Sequence, residues 1–196
     1  MILELLKYFA KYPTKAGVLN LFKQGESSLS GYADLLSFVN ALPANSVMPD
    51  IENYVVASDI DSTKQLVSEF VGVPTYLMVD YGEIVSTPNQ RNTLQDSIRL
   101  AITVAMRLSD TSDLIEQSLA SSRTLNLINR LRAHMMADER NSVLGTFVSQ
   151  IISGQHTFVP FQWKDTASIG WTMAFTLDAT DLLDVSTLRR SLSSQQ

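Results

Sequence analysis

Large aliphatic residues occupy every second position from Ile98 to Leu108: Ile98, Leu100, Ile102, Val104, Met106 and Leu108. Arg99, Ala101, Thr103, Ala105 and Arg107 fill the places between them. Successive side chains of a strand point to opposite faces. The run therefore predicts a strand with one apolar face and one face that is small or charged. Ile169, Trp171, Met173, Phe175 and Leu177 repeat the pattern, alternating with Gly170, Thr172, Ala174, Thr176 and Asp178. We read the two runs as neighbouring strands of one sheet, with a helical region between them in sequence.

The rest of the chain is arranged around that pair. Residues 2–12 carry Ile2, Leu5, Leu6 and Phe9 at helical spacing, and Pro13 ends that helix. A second helix is expected over 31–42, with Leu35, Leu36, Val39 and Leu42 inward. Tyr54–Ala57 reads as a short strand, followed by a helix from Thr63 to Phe70. Thr75–Val79 and Glu83–Thr87 read as a hairpin around Tyr81-Gly82, where glycine would supply a positive φ. Ser109–Asp113 is a cluster of helix-capping residues. After it, Leu114, Ile115 and Leu119 are expected to begin an inward stripe. Thr124 would cap a second helix that turns Leu127, Ile128, Leu131 and Met135 inward and Arg123, Arg130, Arg132 and Arg140 outward. Val143–Ile152 reads as a further apolar helix or strand, with helix preferred, and Phe158–Trp163 pairs with the last long strand across Lys164–Ser168.

Mixed elements joined mostly by hairpins give an α+β fold: a mainly antiparallel sheet with helices packed on one face. Residues 1–50 are expected to form an N-terminal helical lobe, 51–181 the sheet domain, and 182–196 a C-terminal arm or tail.

Apolar residues make up 45% of the 196, enough for a sizeable core. A net charge of −5 argues against a surface that grips nucleic acid, which needs a basic excess. With no cysteine, thiolate metal sites, disulfides and cysteine nucleophiles are absent. No run approaches the roughly 20 apolar residues of a membrane span, so no membrane partner is expected.

Recognisable chemistry is scarce. The eight glycines form neither a G-x-x-x-x-G-K nor a G-x-G-x-x-G loop, and no G-x-S-x-G elbow occurs. Asp59 and Asp61 are the best paired carboxylates, and His156 is one of two histidines. Together they define one alternative, a small hydrolase or metal-dependent enzyme, which requires the three to converge on one pocket. Helix capping accounts for Asp61 equally well. The expectation is no catalytic residue, no cofactor and no metal. A monomeric partner-binding adaptor is a further alternative.

The small face of the central strand is more informative. A merely solvated sheet face usually carries longer polar side chains than Ala101, Thr103 and Ala105. Small residues admit a close neighbour, either a helix of the same chain or another subunit. Arg99 and Arg107 flank them, and Arg123, Arg130 and Arg132 offer a helix surface for an acidic partner, which a solvated helix face explains as well. Leu182, Leu183, Val185 and Leu188 precede Arg189-Arg190. These aliphatics would each forfeit roughly 1.5–3 kcal/mol if left in water, so the segment is expected to dock, on its own chain or on a neighbour.

The succession Ser97–Leu108, a long helical region, then Ser168–Asp178 resembles small α+β proteins of tailed bacteriophages, the tail-terminator and neck-connector class. The similarity covers about residues 75–180. It implies a non-enzymatic virion protein, assembled in the host cytoplasm. Such a protein forms a homo-oligomeric ring at the head–tail junction or tail end, contacts other virion proteins, and lets DNA pass without specific binding. An acidic chain suits that role, because it repels DNA where a basic one would hold it. The N-terminal helical lobe departs from the compact pattern of that class.

Overall fold

The computed structural model describes residues 2–23, 27–57, 60–72, 74–88, 94–140 and 156–180. The strands are β1 (Asn53–Ala57), β2 (Thr75–Pro88), β3 (Leu94–Arg107), β4 (Thr157–Trp163) and β5 (Ser168–Thr180). They form one sheet in the order β1-β2-β3-β5-β4. β1 runs parallel to β2, and the other three pairings are antiparallel. The helices are α1 (Ile2–Phe9), α2 (Lys15–Leu19), α3 (Tyr32–Ala41), α4 (Ile60–Ser68) and α5 (Leu114–Arg140). The fold is α+β.

The two alternating runs are adjacent strands, as their patterns demand. Leu100 faces Phe175, Ile102 faces Met173 and Val104 faces Trp171 across the β3–β5 ladder. Leu77 and Val79 of β2 continue the same face. α5 covers it with Leu127, Ile128, Leu131 and Met135. α1 joins the same layer through Leu5 and Phe9. The helices of residues 1–50 therefore share one hydrophobic core with the sheet. Tyr8, Tyr12 and Lys11 all bond the Asp138 carboxylate, tying α1 to the far end of α5.

Three expectations require correction. First, the helices do not all lie on one face. Val67 of α4 and the following Phe70 pack with Val55, Tyr76, Met78 and Ala105 on the opposite side of the sheet. The small residues there leave room for the Tyr76 ring and for a short helix. Second, β2 does not turn back at Tyr81-Gly82. It continues to Pro88, with a register shift between Tyr81 and Ile84 opposite β3. Gly82 is not among the glycines with positive φ; it marks a bulge, where a strand gains one residue and bends. The β2–β3 ladder runs on instead to the pairing of Pro88 with Leu94. Third, α5 is a single helix. Thr124 does not cap a new one; its Oγ1 donates back to the Ala120 carbonyl at 2.8 Å, four residues earlier.

Both edges of the sheet are blocked. α2 covers β1 so closely that a Cβ on Gly17 would lie 2.7 Å from Asn53 Cα. At the other edge, Pro160 interrupts the β4 row of N–H donors. The expected helix over Val143–Ile152 lies outside the described residues.

Candidate assembly interface

The exposed start of α5 follows from its length. Twenty-seven residues span about 40 Å. The stripe that packs on the sheet begins only at Ala120 and runs through Thr124, Leu127, Ile128, Leu131 and Met135. The first turns therefore precede the packed part of the helix. Leu114, Ile115 and Leu119 are 72%, 68% and 67% exposed, which corrects their expected inward position. At about 100° per residue, Ile115 and Leu119 fall on the side of the helix opposite the buried stripe.

These first turns are firmly held. Asp113 Oδ1 accepts the N–H groups of Ile115 at 2.8 Å and Glu116 at 3.1 Å, an N-cap at the positive helix end. Glu116 reaches back to accept the Ser109 N–H at 2.8 Å and the Asp110 N–H at 3.0 Å. The Ser109 hydroxyl also donates to both of its oxygens. The Ser109 N–H, the Ser109 hydroxyl and the Asp110 N–H hold Glu116 below its usual carboxylate range. The bonds of the Ser112 hydroxyl and N–H lower Asp110 likewise. Glu116 and Asp110 thus favour their ionised forms beside the aliphatic patch. None of Asp110, Asp113 and Glu116 pairs with a Lys or Arg among the described residues.

A shallow groove of about 430 Å³ continues from this patch. Leu119, Ser122, Arg123, Asn126 and Arg130 line it on α5, with Asp50 opposite. Arg130 Nη1 bonds Asp50 Oδ2 at 2.8 Å, so this helix arginine is locally paired. Arg123 is exposed and forms no such pair among the described residues. Arg132 lies against β4, with its guanidinium carbon 5.9 Å from the centre of the Phe158 ring.

The small sheet face divides in two. Thr103 and Ala105 are buried within the chain, so they are not available at the surface. Thr103 Oγ1 lies 2.7 Å from Thr172 Oγ1 across the strands. Arg107 is half-buried, and its Nη1 donates to the Phe70 carbonyl just beyond α4. That bond ties it to its own chain. Arg99 is exposed and Ala101 half-exposed, beyond the reach of α4. Tyr76 packs in the closed part, where burial pushes its phenol up to about 12. Leu182, Leu183, Arg189 and Arg190 lie outside the described residues.

Asp61 and His156, the described residues of the enzyme alternative, do not converge. Asp61 is exposed in the first turn of α4. His156 sits with its ring 5.6 Å from Phe175, whose side chain belongs to the core under α5. α4 and Phe175 occupy opposite faces of the sheet, and Asp59 lies outside the described residues. Among the described residues, no three His, Asp or Glu side chains gather in a set able to hold a metal ion. No described helix is long and apolar enough to cross a membrane.

Apolarity alone assigns Leu114, Ile115 and Leu119 to the interior, yet they are surface residues. The signal was present: on a single helix they lie far around from Ala120, Leu127 and Leu131. Compared with protein-family models, curated proteins and solved structures, the chain matches none.

Proposed function

We propose that this protein is a non-enzymatic structural subunit that assembles with copies of itself, and that its setting is the tail or neck of a tailed phage. In that setting it forms a ring at the head–tail junction or tail end, in contact with other virion proteins. The observation that carries the reading is the exposed Leu114–Ile115–Leu119 patch on a capped, well-held helix. Side chains of this size scattered singly on a surface need no explanation, but Ile115 and Leu119 lie one turn apart on one helix face with Leu114 at its flank, and such a group marks a contact surface. Burying them is worth roughly 1.5–3 kcal/mol each. Blocked sheet edges favour contacts through helix and sheet surfaces over strand addition. The virion setting rests on the resemblance carried by Ser97–Leu108 and Ser168–Asp178. A net charge of −5 suits an opening through which DNA slides without being held.

Electron microscopy of the purified chain tests the reading. Closed rings of uniform diameter are expected. Isolated single particles of one chain each would overturn it.

A further inference from the structure

We propose that the acid-rimmed aliphatic patch at the start of α5 is the docking site for the C-terminal segment of a second copy of this chain. The inference rests on the assembly reading above and names the contact. The two surfaces match in chemistry. Leu182, Leu183, Val185 and Leu188 supply aliphatics, and Arg189-Arg190 supply two positive charges. The patch offers Leu114, Ile115 and Leu119 beside Asp110, Asp113 and Glu116, which have no cationic partner among the described residues. Ionised Arg–carboxylate contacts add direction to the apolar match.

Reach decides between the same chain and a neighbour. β5 ends at Thr180, at the end of the sheet where it pairs with Gln95. Trp171 Nε1 donates to the Ser121 carbonyl at 3.1 Å, which sets Ser121 level with Trp171, nine residues back along β5. That separation is about 30 Å at strand spacing. Leu114, Ile115 and Leu119 lie still farther from Thr180, toward the Leu108 end where α5 begins. Ile115 and Leu119 also lie on the far side of a helix about 10 Å thick. Leu188 is eight residues beyond Thr180 and reaches at most about 28 Å fully extended. Leu182, Leu183 and Val185 reach less. The aliphatics of a chain therefore fall short of that chain's own patch, and a neighbour's patch is the one they meet. One chain's arm on the next chain's helix is a contact between unlike surfaces, the kind that closes rings.

The chain contains no cysteine, so Leu119→Cys with Leu183→Cys creates a single pair. Oxidation of this double variant should give a ladder of linked multiples on a denaturing gel. An internally linked monomer would overturn the inference. So would no linkage under conditions where the unaltered chain assembles; that outcome leaves the assembly reading standing. An unaltered chain that never assembles would overturn both. A mixing experiment checks the same contact without a disulfide. Leu119→Glu and Leu183→Glu should each weaken self-association at least about tenfold. Mixed, they should form dimers and nothing larger, since only one working arm and one working patch remain. Full assembly by either variant alone would contradict the inference.

Discussion

The Tyr8 phenol donates to Asp138 Oδ2 at 2.8 Å, across 130 residues of chain. Tyr12 reaches the same oxygen at 3.1 Å, and Lys11 pairs with it. This one carboxylate holds α1 beside α5 and so completes the layer over the apolar sheet face. Asp138→Ala leaves two phenols and an ammonium without their acceptor. A loss of about 1–3 kcal/mol is expected. Urea unfolding measures it, and an unchanged midpoint would show that the apolar contacts of Leu5 and Phe9 suffice.

The same carboxylate makes stability depend on pH. Burial pushes Asp138 up, but the bonds from Lys11 and Tyr8, with Tyr12, outweigh it and hold the group below its ordinary range. The folded chain therefore binds this proton less readily than the unfolded one. The stabilisation is fully present above the unfolded value of about 4, and is lost as pH falls through the folded value. The difference in stability between the unaltered chain and Asp138→Asn should narrow below about pH 4. A difference constant across that range would remove Asp138 from the acid response.

The buried hydroxyl of Thr103 and the half-buried hydroxyl of Thr172 predict a non-additive pair. Removing one hydroxyl strands the other, whereas removing both leaves no orphan. Thr103→Val should cost about 1–3 kcal/mol, and Thr103→Val with Thr172→Val should cost less than the sum of the single changes. A double-mutant cycle by chemical denaturation gives the coupling. Strict additivity would mean that the 2.7 Å pair contributes nothing.

Gly170 has no room for a side chain. A Cβ there would lie 2.6 Å from Ala105 Cα, on the adjacent strand. Gly170→Ala must push β5 away from β3 and should cost about 3 kcal/mol. Thermal unfolding would show it. A shift within error would mean that the strands separate freely at this point.

The parts of the fold that could be read in the sequence are those where burial and periodicity agree. Leu100, Ile102 and Val104 alternate with residues too small or polar to share their face, so β3 and its partner β5 follow directly. Leu114, Ile115 and Leu119 were misplaced because apolarity demands a covering surface without naming the molecule that provides it. Thr124 read as a cap because a threonine hydroxyl can satisfy either a helix end or the carbonyl four residues back. Gly82 read as a turn because glycine serves bulges and turns alike. The second layer, α4, was hidden because Ala101, Thr103 and Ala105 accept either an internal cover or an external one. In the structure Tyr76 and α4 close one part, and Arg99 and Ala101 stay at the surface.

Native mass spectrometry of the unaltered chain beside Ile115→Ser/Leu119→Ser tests the central claim most directly. Both positions are exposed, so the altered chain should fold with unchanged stability. The unaltered chain should appear as one closed multiple of 21.7 kDa, and the altered chain as 21.7 kDa alone. An unaltered chain at 21.7 kDa across the whole concentration range would contradict the account.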